Sequence, residues 1–138
     1  MTVIKRHVLN KLQLLLEMFP CVAVIGARQV GKSTLVKMAS NDSWQYFDLE
    51  KADDFQLISS DPIGFFKRKS NQIIIDEVQQ YPEIFKTLRS VIDEERDSVG
   101  RFILTWSSSP EIIKGLTESL AGRIATIELS PFLSSTYS

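Results

Sequence analysis

The sequence of 138 residues contains one cysteine and one histidine, and its formal net charge is only −1. The lone Cys21 allows no internal disulfide and excludes a cysteine-based zinc site. Because it opens an apolar run, we expect a buried, inert thiol. A histidine-dependent triad or multi-histidine metal site would depend on His7, and no neighbouring residue supports either. The near-zero charge provides no overall attraction to nucleic acid or anionic lipid.

Long apolar runs are also missing. No stretch approaches the length of a membrane-spanning helix, and polar residues interrupt the apolar stretch that follows Lys5 and Arg6, unlike in a signal peptide. With 43% apolar and 24% charged residues, the composition is typical of a soluble domain. The length suits one domain with its own core. We therefore expect a soluble protein of the reducing cytoplasm with no membrane partner.

What the sequence does contain is an alternation of helical periods and short apolar runs. An amphipathic helix is predicted first, and Pro20 ends it. The predicted strands cover residues 21–25, 44–47, 72–75, 101–105 and 124–129. The predicted helices cover residues 3–18, 32–40, 53–69 (in one or two pieces), 82–96 and 109–120. This alternation predicts an α/β fold, a three-layer αβα sandwich with a mainly parallel five-stranded sheet.

The segment Gly26–Ser33 has the spacing Gly-x4-Gly-Lys-Ser between a predicted strand and a predicted helix. Its glycines allow backbone N–H groups to converge on phosphate. Lys32 would reach the β- and γ-phosphates, and Ser33 would offer a hydroxyl to Mg²⁺. Arg28 would contact phosphate or a neighbouring acid, or lie free on the surface. The predicted nucleotide-binding residues are Gly26, Ala27, Arg28, Gln29, Val30, Gly31, Lys32, Ser33 and Thr34.

Two carboxylates, Asp76 and Glu77, follow the predicted strand 72–75, which contains three consecutive β-branched residues. At the carboxyl end of a central strand they would face the phosphate loop. Asp76 would hold Mg²⁺ together with Ser33, and Glu77 would orient or deprotonate an attacking water. An ordinary acidic turn has the same composition, but the phosphate loop upstream favours the catalytic interpretation. A carboxylate pair also favours hydrolysis over phosphoryl transfer to an acceptor.

Two more candidates lie near the predicted fourth and fifth strands. Ser107, with Thr105 in reserve, would contact the γ-phosphate or the attacking water. The segment 108–110 has the composition of a helix N-cap, which is compatible with that role. Arg123 would stabilise charge on the transferring phosphoryl group, in cis or across a subunit boundary, or is an ordinary surface arginine.

Taken together, these segments resemble the prokaryotic AAA-type ATPases. The resemblance is carried by Gly26–Leu35, Ile75–Gln79, Pro82–Phe85, Arg101–Thr105 and Ser119–Arg123. It implies a P-loop fold with strand order 5-1-4-3-2. It also implies that Asp76 is the magnesium carboxylate and Glu77 the catalytic carboxylate. By the same resemblance, Ser107 is the sensor residue and Arg123 the arginine finger.

The resemblance suggests a domain division and shows two departures. Residues 1–20 are predicted as a helix packed on the core, 21–131 as the ATPase core, and 132–138 as an irregular tail that replaces the family's usual C-terminal region. The first departure is Trp106, which stands where the family typically has glycine. Its indole is large enough to displace Ser107 or press on the nucleotide site. The second departure is the irregular tail. Both departures suggest a fragment that binds nucleotide but hydrolyses it slowly.

The leading functional prediction is Mg²⁺-dependent ATP hydrolysis that drives a conformational change. The alternative is a nucleotide-binding switch, or a truncated remnant with little turnover. A small-molecule kinase is a third hypothesis, which the carboxylate pair opposes. The choice of adenine over guanine rests on the resemblance alone. The sequence contains no Asn-Lys-x-Asp motif of the kind that recognises guanine. The sequence allows a homo-oligomer, and it allows either a protein or a nucleic acid as the target.

Overall fold

The computed structural model describes residues 3–27, 31–69, 72–107 and 118–129. Its helices and strands are α1 Val3–Leu16, β1 Cys21–Gly26, α2 Lys32–Ala39, β2 Gln45–Asp48, α3 Ala52–Ser59, α4 Pro62–Arg68, β3 Ile73–Asp76, α5 Ile84–Glu94, β4 Phe102–Trp106 and β5 Ile124–Leu129. Short 3-10 turns cover Val78–Gln80 and Glu118–Leu120. The helix predicted over 109–120 and the predicted tail lie mostly outside the described residues. No helix in the described part of the chain is long and apolar enough to cross a membrane.

The strands form one parallel sheet in the order β2-β3-β4-β1-β5. This is the predicted order 5-1-4-3-2 counted from the other side, so the fold prediction is confirmed. Because all strands run in one direction, their C-terminal ends share one border, here called the carboxyl edge, and their N-terminal ends share the amino edge. At the carboxyl edge, β1, β3 and β4 end in Gly26, Asp76 and Trp106.

Helices cover both faces of the sheet, which gives the predicted three layers. On one face, Leu12 of α1 and Val36 of α2 are fully buried in a cluster that includes Val24 of β1. On the other face, α3, α4 and α5 contribute to a larger cluster in which Phe65 and Leu88 are fully buried. Burying one such side chain stabilises the fold by roughly 1.5–3 kcal/mol, so the two clusters stabilise the packing of the helices on the sheet.

Cys21 opens β1 and is fully buried. Burial raises the pKa of its thiol far above the ordinary cysteine value, because the thiolate would have to form without water. The thiolate is the reactive form. The expectation of a buried thiol is therefore confirmed, and the raised pKa supports the expectation that the thiol is inert.

Candidate functional site

The phosphate loop leaves the sheet at Gly26, the last residue of β1, and leads into α2. Gly31 precedes α2 with φ 81° and ψ 31°, a left-handed conformation that glycine adopts without a steric penalty. Lys32 is 2% exposed, and its Nζ donates a hydrogen bond to the carbonyl oxygen of Ala27 at 2.8 Å. The lysine therefore reaches back across the loop to its beginning. The predicted residues 28–30 lie outside the described residues.

Ser33, in the first turn of α2, meets Asp76 at the end of β3. The Ser33 Oγ donates to the Asp76 Oδ2 at 2.8 Å, across 43 residues of sequence. Mg²⁺ prefers such hard oxygen ligands and commonly combines one or two carboxylates with substrate phosphates and water. The two residues thus fit a magnesium ion beside a phosphate loop. The neighbouring Thr34 is exposed on the same turn.

Asp76 is 4% exposed, and both of its carboxylate oxygens accept hydrogen bonds. Besides Ser33, Thr105 on β4 donates its Oγ1–H to Oδ1, and Tyr46 on β2 donates its hydroxyl to Oδ2. Thr105 is fully buried and also accepts a hydrogen bond from the Glu77 N–H at 2.9 Å. A buried carboxylate is costly unless such donors surround it. The structure therefore brings Thr105, the reserve candidate, against both acidic residues.

Tyr46 is a site residue that the sequence analysis missed, as is Gln79, which contacts Glu77. Its ring lies under Lys37 of α2, with Nζ 4.5 Å from the ring centroid. Burial first, and then the hydrogen bond to Asp76, raise the pKa of Tyr46 above the ordinary tyrosine value. The phenol therefore stays protonated, as a donor, at neutral pH. The one feature of the sequence that pointed to Tyr46 was its position two residues before the end of β2, the strand that pairs with β3.

Glu77 directly follows β3 with φ 61° and ψ 53°, and it has the only positive φ among the described residues other than glycine. Its Oε1 accepts from the Ser107 Oγ at 2.7 Å, and its Oε2 accepts from the Gln79 Nε2 at 2.5 Å. A left-handed non-glycine residue costs on the order of 1–3 kcal/mol and persists only where its surroundings hold it. Ser107, Gln79 and the Thr105 hydroxyl are the groups that hold Glu77.

Trp106 does not displace Ser107. Side chains alternate along β4, so the indole lies on the opposite face of the sheet from Thr105 and Ser107. There it is 2% exposed and stacks on Phe85 of α5, with ring centroids 5.4 Å apart. Its Nε1–H is buried and has no hydrogen-bond partner among the described residues. The indole thus forms part of the core beneath α5 and leaves the contact between Ser107 and Glu77 intact.

Arg123 lies at the amino edge, directly before β5, and pairs with Asp93 of α5. Its Nε donates to Oδ1 at 2.6 Å and its Nη2 to Oδ2 at 3.1 Å. This pairing lowers the pKa of Asp93 and raises that of Arg123. The six residues of β5, at roughly 3.3 Å each, separate Arg123 from the carboxyl edge. An action of Arg123 on phosphate would therefore require a second subunit.

Comparison with known proteins agrees with this arrangement. The profile of a family described as "AAA domain" matches residues 18–137. The chain belongs to the AAA domain family. This membership implies a nucleotide-binding P-loop domain.

Relatives of this chain include two mycobacterial proteins. They are an uncharacterized protein of Mycobacterium bovis and one of Mycobacterium tuberculosis, each 34% identical to this chain over 131 residues. The alignment covers 94% of this chain and 29% of each relative. The AAA chain described here thus spans less than a third of the length of these relatives.

Proposed function

We propose that this chain binds ATP together with Mg²⁺ at the carboxyl edge and hydrolyses it. The observation that carries the proposal is the 2.8 Å hydrogen bond from Ser33 to Asp76, with Glu77 as the next residue. It unites the helix after the phosphate loop with the acidic end of β3. Membership in the AAA domain family supports nucleotide binding independently.

Each side chain has a defined task in this proposal. The Lys32 ammonium group exchanges the Ala27 carbonyl for phosphate oxygens, and Ser33 and Asp76 hold the metal. Bound Mg²⁺ would neutralise charge on the phosphates. Glu77 accepts a proton from the water that attacks the γ-phosphorus. The bond from that phosphorus to the bridging oxygen breaks, giving ADP and inorganic phosphate.

In this scheme Ser107 orients Glu77. Its hydroxyl holds Oε1 at 2.7 Å, so the general base is already placed near Asp76 before a water is activated. Removing the hydroxyl would leave Oε1 without this donor, so that of these two side-chain contacts only that of Gln79 would still orient the carboxylate. We therefore assign Ser107 a positioning role rather than a direct contact with phosphate.

A second candidate function is a nucleotide-dependent switch with little turnover. It is favoured by the engagement of both Glu77 oxygens, one by Ser107 and the other by Gln79. Because each oxygen already accepts one hydrogen bond, an attacking water has to compete for the remaining lone pairs of the carboxylate. In that case nucleotide binding would be the main event, and hydrolysis would be slow.

Mg²⁺-dependent phosphate release distinguishes the two functions. The variants are Glu77→Gln and, as a matched control, Glu83→Gln, which changes an exposed glutamate that makes no capping hydrogen bond on α5. We expect Glu77→Gln to lower kcat by about 10²–10⁴-fold, the usual contribution of a general base, and to preserve nucleotide binding. Glu83→Gln should behave as wild type. Hydrolysis that is indifferent to Glu77→Gln would overturn the mechanism, and tight binding without turnover in the wild type would favour the switch.

An oligomer is part of the proposal only through Arg123, whose position at the amino edge suits an action on a neighbouring subunit. Its present partner, Asp93, would have to release it first. Sedimentation with and without nucleotide would test this assembly.

A further inference from the structure

The hydroxyl of Tyr46 donates to Asp76 Oδ2, the same oxygen that accepts from Ser33. Tyr46 belongs to β2, a strand that contributes neither to the phosphate loop nor to the acidic strand end. Its backbone is paired with Ile74, and Asp48 pairs with Asp76 at the end of the ladder. The register therefore places the ring beside the carboxylate on the face of the sheet covered by α2.

The surroundings of Tyr46 hold its ring in this place. Lys37 of α2 lies over the ring at 4.5 Å, an attractive cation–π arrangement. Because α2 also carries Ser33, the Tyr46 ring packs on the helix that brings the serine hydroxyl to the same carboxylate. The tyrosine thus connects β2, α2 and β3 at one point.

The consequence concerns the orientation of the carboxylate. Thr105 on β4 donates a hydrogen bond to Oδ1, and Tyr46 on β2 donates one to Oδ2. The Asp76 carboxylate is therefore hydrogen-bonded from both neighbouring strands. With both oxygens restrained, the carboxylate cannot rotate, and Oδ2 remains directed at Ser33. A preset ligand direction is what donors around a metal-binding residue supply.

We infer that Tyr46 is a positioning residue for the magnesium-binding carboxylate Asp76. This inference rests on the proposed function, because it assumes that Ser33 and Asp76 bind Mg²⁺ with the nucleotide. The tyrosine touches neither phosphate nor the attacking water. Its loss should therefore weaken the magnesium dependence of nucleotide binding and leave metal-free binding unchanged.

The test is a titration with a fluorescent ATP analogue, first in EDTA and then at graded Mg²⁺ concentrations. Tyr46→Phe removes the hydroxyl and keeps the ring under Lys37. Tyr81→Phe is the matched control, since Tyr81 is also half-buried and packs its ring on Phe55 at 5.8 Å, outside the Asp76 contacts. Both variants should bind the analogue in EDTA as wild type does, which also shows that they are folded.

We measure the Mg²⁺ concentration that gives half of the magnesium effect on binding of the analogue. For Tyr46→Phe we expect this concentration to rise about ten- to a hundredfold, the usual consequence of removing a donor that orients a metal ligand. Tyr81→Phe should not change it. Equal magnesium requirements in wild type and Tyr46→Phe would overturn the inference and leave the proposed function standing. A wild-type chain that binds the analogue without any magnesium effect would overturn both.

A double-mutant cycle separates positioning from general packing. In an Asp76→Asn background, Tyr46→Phe should add no further change to the magnesium requirement, because the tyrosine acts through Asp76. Independent, additive effects of the two substitutions would show that the hydroxyl supports the fold in another way, and would contradict the inference. The thermal midpoint of each variant supplies a second readout, which a structural role would lower and a positioning role would leave nearly unchanged.

Discussion

The acidic residues at the two edges of the sheet differ in their burial and in their hydrogen-bond partners. At the carboxyl edge, Asp76 and Glu77 are 4% and 6% exposed, and hydrogen bonds occupy all four of their carboxylate oxygens. At the amino edge, Arg123 pairs with Asp93, whose side chain is 36% exposed, and Arg101 pairs with Glu95, whose side chain is 64% exposed. The acids of the first edge have mainly hydroxyl and amide partners, and those of the second have guanidinium partners.

The difference supports the proposal that the carboxyl edge is the catalytic site. A buried carboxylate held by neutral donors keeps its negative charge available to a cation, whereas one paired with arginine is already neutralised. Exposed ion pairs contribute little to stability because water and salt screen them. Substitutions at the carboxyl edge should therefore have large effects on catalysis, on stability or on both, and substitutions that break the ion pairs of the amino edge should have small effects on stability.

The largest effect is expected from Trp106→Gly, because the indole fills the core directly below the carboxyl edge. Removing a fully buried aromatic side chain costs about 3–5 kcal/mol, and the new glycine adds chain entropy to the unfolded state. Urea unfolding followed by circular dichroism would measure this loss. Trp106→Phe should cost much less, since it keeps the stacking on Phe85 and removes the unpartnered Nε1–H. A stable Trp106→Gly variant with faster hydrolysis would contradict this account of the indole.

Thr105→Val should have the next largest effect and change both stability and turnover. Valine has nearly the same shape, but it leaves the Glu77 N–H without its acceptor and Asp76 Oδ1 without its donor. An unsatisfied buried group costs about 1–3 kcal/mol. We expect that loss in urea unfolding and a fall in kcat of about 10–100-fold. Thr126→Val, at an exposed position of β5, is the control and should change neither quantity.

Gln79→Leu should separate catalysis from stability. The substitution removes the donor to Glu77 Oε2 and also the buried Gln79 Oε1, which has no hydrogen-bond partner among the described residues. The two losses offset each other in the fold, so the free energy of unfolding should change by less than about 1 kcal/mol. Hydrolysis should fall by about tenfold as Glu77 loses its orientation. Gln80→Leu, at the exposed neighbouring position, serves as control, and a rise in hydrolysis for Gln79→Leu would favour the switch instead.

Much of the site was predictable because fixed spacing and strand alternation determine it. The phosphate loop and the acidic strand end predicted that Ser33 and Asp76 would meet, since parallel strands in a P-loop order bring them to one edge. The direction of Trp106 was also contained in the alternation of β4, where Phe102 and Leu104 share its face. The position of Arg123 before its strand likewise indicated the amino edge.

Other features depended on contacts that the sequence does not encode locally. The hydrogen bond from Tyr46 to Asp76 requires the register between β2 and β3, which no motif specifies. The left-handed backbone of Glu77 goes against the intrinsic preference of glutamate, and its N–H donates to Thr105 while its carboxylate accepts from Ser107 and Gln79. Tertiary contacts of this kind appear only once neighbouring strands are placed side by side.

The smallest effect is expected at the amino edge, from Asp93→Asn. Arg123 lowers the pKa of Asp93 in the folded chain, so the pair stabilises the fold above the ordinary aspartate pKa of about 3.9 and loses that contribution as the pH falls through the lowered value. Wild type and Asp93→Asn should therefore differ in urea unfolding at pH 7 and converge as the pH falls below the lowered pKa of Asp93. High salt at pH 7 should also reduce the difference, because water and ions reach the pair. Asp97→Asn, also on the surface near the end of α5, controls for a general loss of negative charge. A difference that persisted unchanged at low pH would mean that Asp93 stabilises the fold by packing rather than by its charge, and the contrast between the two edges would lose its electrostatic basis.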